Sequence, residues 1–317
     1  MKFSLAKSSA AILLLFLMAS ISAADPAVVE LLSAGRMNDV IRVLAQRDDP
    51  ESLHLLSRAY YAIENWDEAV RNGERAVSLR QDDASYHLWL AREYGQKAAV
   101  SSPLKAAGIA RKAKNEFERA VLLDPSNVQA HGDLAEYYVE APAIMGGGLD
   151  KARDQAAAVR PYDPAMSHWI LGKIAEKEKH WDDAEREYRA GVKVAKDPAE
   201  YWMHLASLYR ERGRLDEMQR TVQTAIAQPD KSAETYYNAA TVLYDGGRDF
   251  PAAVQYLKQY LASGQMVEDA PGFRAHYLLG QVYQSMGDRS AAMAEYQAAL
   301  RLASGFAPAQ AALSKVQ

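Results

Sequence analysis

The sequence predicts an all-α fold, a right-handed solenoid of stacked helix-turn-helix repeats. Three observations predict it. First, a short pattern recurs in which Leu is followed by a small residue and, three further on, an aromatic: Leu56-Ser57 with Tyr60, Leu90-Ala91 with Tyr94, Leu134-Ala135 with Tyr138, Leu205-Ala206 with Tyr209 and Leu279-Gly280 with Tyr283. Second, units aligned on this pattern start at Pro50, Ala84, Val128, Ala165, Ala199, Ala233 and Phe273, spaced by 34, 44, 37, 34, 34 and 40 residues. A period near 34 is that of stacked helix pairs. Third, several columns of the alignment agree. Position 7 is Leu in six of the seven units, and position 8 is small in all of them (Ser57, Ala91, Ala135, Gly172, Ala206, Ala240, Gly280). An array of this kind also accommodates 317 residues, because each unit packs only on its neighbours.

Taken in order, the chain opens on a segment with the three parts of a secretory signal. Lys2 and Lys7 precede an unbroken apolar run from Ala10 to Ala19, and Ser22-Ala23-Ala24 offers small residues before Asp25. Residues 1–24 are therefore expected to be a signal peptide, too short to span a bilayer, with retention as an anchor as the alternative. Residues 25–49 read as a degenerate helix pair, with Val28, Leu31 and Leu32, then Gly35, then Val40, Val43 and Leu44. Residues 50–306 hold the seven repeats. Within each, positions 4, 7, 8 and 11 share one helical face. The small residue at 8 admits the second helix, which presents small or aromatic residues at 20, 24 and 27, as at Ala184, Tyr188 and Gly191. Residues 307–317 read as a single capping helix.

Helix ends are written into the same pattern. Asp124-Pro125, Asp163-Pro164 and Asp197-Pro198 each place a side-chain acceptor before a proline suited to the first helical position. Gly213 and Gly287 fall at the turn inside a pair. Three insertions depart from the period, near 95–112, 141–149 and 263–272. The first two lie in the same place within successive units, so they are expected to be neighbours in space. Lys97, Lys105, Arg111, Lys112 and Lys114 give the first a basic edge, with no acid between Glu93 and Glu116. Such an edge suits an acidic partner or an anionic lipid surface.

The repeat, with its Leu, small-residue and Tyr columns, resembles the tetratricopeptide repeat family over about residues 50–306. The resemblance implies that the first helix of each pair lines a concave surface, with positions 5, 9 and 12 toward a ligand. Position 5 then supplies His54, Leu88, Trp169, Met203, Tyr237 and Tyr277, and position 9 supplies Arg58, Arg92, Lys173, Thr241 and Gln281. Position 12 adds Tyr61 and Tyr244. On this reading Arg58, Arg92 and Lys173 hold a carboxylate or an acidic segment, and the tyrosines pack on an extended peptide. The Asn residues with which some family members grip a C-terminal carboxylate are missing here, so that activity is not carried over.

Composition narrows the function. There is no Cys, which removes thiol chemistry and Cys-ligated metals. The formal charge is −4, and −6 without Lys2 and Lys7, against the basic domain usual for a nucleic-acid binder. Four of the seven His (His87, His131, His168, His276) share position 4, a column that reads as packing between helices. No His pair has metalloprotease spacing, and Gly146-Gly147-Gly148 is not followed by the Lys of a phosphate loop. The expectation is a non-catalytic adaptor without cofactor or metal, exported most naturally to a bacterial periplasm, binding protein or peptide partners. Self-association through the groove or an end helix is the first alternative. An envelope enzyme with a repeat-built cleft is the second, and membrane contact through the basic insertion the third.

Overall fold

The structure, a computed structural model, describes residues 26–317. The expected signal peptide lies outside the described residues. Seventeen α-helices and one short 3-10 turn make up the fold, with no strand among the described residues. Helices α1 (Pro26–Ser33) and α2 (Met37–Leu44) form a short leading pair. Seven pairs follow: α3 (Pro50–Ala62) with α4 (Trp66–Leu79), α5 (Ala84–Ala99) with α6 (Pro103–Leu123), and α7 (Val128–Glu140) with α8 (Leu149–Val159). Next come α9 (Pro164–Lys177) with α10 (Trp181–Val194), and α11 (Pro198–Glu211) with α12 (Leu215–Ile226). The last pairs are α13 (Glu234–Asp245) with α14 (Phe250–Ser263) and α15 (Gly272–Ser285) with α16 (Arg289–Leu302), before α17 (Ala307–Val316).

The local chemistry explains where these helices begin and turn. Asp49, Asp163 and Asp197 cap α3, α9 and α11, each carboxylate accepting from a backbone N–H just past the following proline. Asp124 does not behave this way. It closes α6 instead, and Asn127 caps α7, because Pro125 lies in the connection between them. In five of the seven pairs the turn is made by a left-handed residue at repeat position 15. Gly213, Gly247 and Gly287 supply it with φ of 68°, 62° and 83°. At the same position Glu64 and Lys179 adopt φ of 63° and 62°, despite their side chains.

Packing between the two helices of a pair is set by positions 8 and 24. Gly172 lies under the Tyr188 ring and Gly280 under Tyr296; a Cβ on either glycine would come within 2.4 and 2.5 Å of the ring. Both tyrosines are fully buried. Elsewhere the two columns trade volume, as in Ala91 with Phe117 and Ala240 with Leu257. In the first repeat position 24 is Gly73, and the space above it is filled from the next repeat by Glu93. A Cβ on Gly73 would sit 2.1 Å from a Glu93 carboxylate oxygen.

A second pair of columns joins positions 4 and 23. His87 meets Glu116, His131 meets Gln155, His168 meets Glu187 and His276 meets Glu295, each through Nδ1. In the sixth repeat the same two positions hold Tyr236 and Tyr256, with ring centroids 6.1 Å apart. Tyrosines at position 11 tie one repeat to the one before. Tyr94 donates to Glu74, and Tyr138 and Tyr209 donate to Glu118 and Glu185 at 2.7 Å.

The two ends of the array meet. Leu32, Met37, Val40 and Leu44 of the leading pair share one apolar cluster with Phe273, Ala303 and Phe306 of the last repeat and its exit. Val43 of the leading pair lies at the surface. Asn38 donates to the carbonyl of Arg301 at 3.0 Å and accepts from the N–H of Ser304 at 2.9 Å. Arg274 donates to the carbonyl of Ala62 at 2.9 Å and pairs with Glu64 at 3.2 Å. Gly35, with φ of 73°, lies so close to Gly272 that a Cβ would come within 2.7 Å of its backbone nitrogen.

Candidate functional site

The inner side of the array is built from the first helices of the pairs, and two neighbouring cavities lie where the ends meet. Arg58, Tyr61, Trp66, Trp89 and Arg274 surround a cavity of about 400 Å³ whose far wall is Glu268 and Asp269, at the tip of the 263–272 segment. A neighbouring cavity of about 590 Å³ shares Tyr61 and Asp269 and continues past Arg92, Asp133 and Glu136. Tyr61 meets Trp66 and Trp89 edge-on, with centroids 5.3 and 5.6 Å away. Arg58 and Arg92 both lie over Trp89, at 4.9 and 4.8 Å from its centroid. A third cavity, of about 470 Å³, lies between the seventh repeat and α17, and brings together Tyr244, Tyr277 and Gln281.

The expected basic end of the face carries its own counter-charges. Arg58 is held through Nε and Nη2 by both oxygens of Glu268, with the Nε bond at 2.9 Å. Arg92 pairs with Asp133 at 2.5 Å, and Lys173 with Glu176 at 3.5 Å. Beyond these pairs the surface is rich in carboxylates. Burial raises the carboxyl of the half-buried Asp133, and crowding by Glu234, Asp197 and Asp163 raises that of Glu200, whose side chain reaches the surface. The sequence held no signal for the Arg58 pairing, since Glu268 is 210 residues away and reaches Arg58 only because the array closes.

Three residues expected on the face are part of the core. His54, Leu88 and Met203 are 3%, 4% and 4% exposed. At His54 and Trp169 position 5 points along the stack into the next repeat. His54 stacks on Tyr86 at 4.4 Å, and Met203 belongs to the central apolar cluster. Burial lowers the His54 pKa well below the ordinary imidazole value. Trp169 is half-buried and faces His204 at 5.8 Å, and Tyr237 faces Tyr260 at 5.7 Å. The Thr241 hydroxyl donates to the Tyr237 carbonyl within its own helix.

The basic insertion does not form a single patch. It is absorbed as helix, since α5 and α6 are both lengthened and only residues 100–102 connect them. Lys97 pairs with Asp67 at 3.0 Å, Lys112 with Glu74 at 3.2 Å and Lys114 with Glu118 at 3.2 Å. Lys105 and Arg111 point to solvent. The second insertion does lie beside the first. Gly146 packs against the Lys114 side chain of α6, and the Tyr137 hydroxyl of α7 donates to the Met145 carbonyl at 2.8 Å, tying the 3-10 turn Ala143–Met145 to its own helix.

Two segments of the sequence, residues 171–217 and residues 273–306, match the tetratricopeptide repeat family. Among solved structures the chain is similar to a thermophilic tetratricopeptide-repeat protein of Thermus thermophilus, with 24% identity and a TM-score of 0.43, over 66% of this chain and 99% of that one. It is also similar to a tetratricopeptide repeat protein from Parabacteroides merdae, with 13% identity and a TM-score of 0.43, over 89% of this chain and 98% of that one. A third similar structure is the Cut9–Hcn1 hetero-tetramer of the APC/C, with 13% identity and a TM-score of 0.42, over 91% of this chain and 52% of that one. No curated protein matches the sequence. The matched segments begin in the fourth repeat and span the seventh, the two in which glycine at position 8 lies under tyrosine at position 24, and the same two-helix unit is built seven times. The chain is a tetratricopeptide-repeat protein.

Proposed function

We propose that this protein is a non-catalytic adaptor of the cell envelope, exported through residues 1–24, whose inner face holds an extended segment of a partner protein. Tetratricopeptide repeats mediate protein–protein interaction, and proteins built from them are typically scaffolds rather than catalysts. The observation that carries the reading is the cavity walled by Tyr61, Trp66 and Trp89, about 400 Å³ in volume. Three aromatic side chains around a space of that size offer a socket for one apolar or aromatic anchor of the partner. The paired charges at its rim, Arg58 with Glu268 and Arg274 with Glu64, offer hydrogen bonds to the backbone on either side. Because the socket is preformed, binding orders the partner and little of the scaffold.

Crosslinking and mass spectrometry on envelope fractions of the native organism test this. The baits are wild type and a Tyr61→Ala, Trp66→Ala double variant matched for melting temperature. The reading predicts a partner captured by wild type and lost in the variant. A partner retained by both baits overturns the socket as the binding site. Failure of the chain to reach the envelope fraction overturns the location.

A further inference from the structure

We propose that the edge formed by the two insertions, α5–α6 and the 3-10 turn Ala143–Met145, docks on an anionic lipid surface. This goes beyond the partner-binding reading and uses the opposite kind of surface, a protruding one. Leu104 is 91% exposed, Ile144 85% and Val100 67%, and the first two are the most exposed large apolar side chains among the described residues. All three lie on the insertions, which meet where Gly146 packs against the Lys114 side chain. A Leu left almost wholly in water at a protruding connection costs solubility and adds nothing to the packing of the array.

Charge distinguishes this edge from the rest of a mildly acidic molecule. Residues 97–115 carry five cations and no carboxylate, and residues 141–149 carry no charge at all. Three of the cations are paired with acids of α4 and α6, while Lys105 and Arg111 have no ion-pair partner among the described residues. Leu104, Lys105, Gly108, Arg111 and Lys112 are all exposed and recur at the spacing of one face of α6. A helical face with an apolar side chain at its leading end and unpaired cations behind it matches the chemistry of a bilayer interface. There the apolar side chains enter the acyl boundary and the cations meet anionic headgroups. A protein partner for the same edge would need an acidic groove to receive a convex tip.

The test is flotation of the chain from Asp25 to Gln317, which includes all the residues of the described fold. The probes are vesicles of phosphatidylcholine alone and of phosphatidylcholine with phosphatidylglycerol. Binding is expected only with phosphatidylglycerol present, and it weakens as salt rises. Lys105→Gln with Arg111→Gln should weaken it by roughly fivefold per cation. Leu104→Ser with Ile144→Ser should weaken it by about tenfold or more. All four positions are exposed, so melting temperatures should not change. A chain that stays off anionic vesicles at low ionic strength overturns the proposal. So does a chain that binds them equally well in both variants. If vesicles do not bind but the Leu104→Ser, Ile144→Ser variant loses a protein partner that the Tyr61→Ala, Trp66→Ala variant keeps, the edge is a protein contact instead.

Discussion

The fourth repeat and the first meet the same packing requirement in opposite ways. In the fourth, Gly172 makes room for Tyr188, and the ring fills the space between the helices of the pair. In the first, the second helix supplies only Gly73, and Glu93 of the next repeat fills the gap. Glu93 is fully buried and neither carboxylate oxygen has a hydrogen-bond partner. The difference teaches that a repeat preserves volume before chemistry. Volume can be borrowed across a repeat boundary even when the atom that fills it is one the interior disfavours.

The comparison can be broken most sharply in the fourth repeat. Gly172→Val forces side-chain carbon into the Tyr188 ring and should cost about 3 kcal/mol in chemical denaturation, as overpacking does. Adding Tyr188→Ala should restore part of that loss, because the new side chain then occupies the vacated space. An undiminished loss in the double variant would show that the glycine serves the helix backbone rather than the ring.

The first repeat should respond in the other direction. Glu93→Met keeps the volume and removes the buried carboxyl, so it should stabilise by about 2 kcal/mol near neutral pH. Burial raises the Glu93 pKa well above the ordinary carboxyl value. The folded state therefore keeps this proton while the unfolded chain releases it. Its contribution to stability is present below about pH 4.3 and is lost as pH rises from there toward the folded pKa. The wild type should lose stability along that range relative to Glu93→Met. Parallel curves for the two proteins would mean that the carboxyl reaches solvent.

The half-buried imidazole of His204 sharpens the contrast because its sign is opposite. Burial lowers the His204 pKa to about 4, and its ring packs among Trp169, Tyr188 and Tyr201. The unfolded chain takes up a proton near pH 6.5 that the folded one refuses until about 4. Stability should therefore fall as pH drops through that window, by at most about 1.4 kcal/mol per pH unit. His204→Phe should flatten this slope in thermal melts. The smallest effect belongs to the turn. Lys179→Gly, at a left-handed position that Gly213 and Gly287 already satisfy, should stabilise by about 1 kcal/mol or less. A loss instead would mean that Lys179 is held by more than its backbone.

The fold was legible because its information is local. Small residues at position 8, Asp-Pro at helix starts and glycine at position 15 each act on neighbours within one unit or the next. The links between positions 4 and 23 were also present, but only half seen. The histidines read as packing between helices, while Glu116, Gln155, Glu187 and Glu295 read as solvated acids and an amide without their partners. The inner face was less legible, for two physical reasons. Position 5 of a helix in a tight stack can turn into the packing between helices, where His54, Leu88 and Met203 are buried. And the pairing of Arg58 with Glu268 depends on the small rotation between repeats summed over the whole array. No spacing in the sequence encodes that sum.

The meeting of the two ends has a consequence for how the molecule comes apart. An open array behaves as a one-dimensional chain of units, and its terminal repeats fray first because each lacks a neighbour. Here the first units and the last supply each other's missing neighbour through Asn38, Arg274 and the Phe273–Phe306 cluster. Amide hydrogen exchange in α3 and α15 should then be as slow as in the middle of the chain. Cutting the backbone at either end should open both together. The order of repeats along the sequence no longer sets the order of their loss.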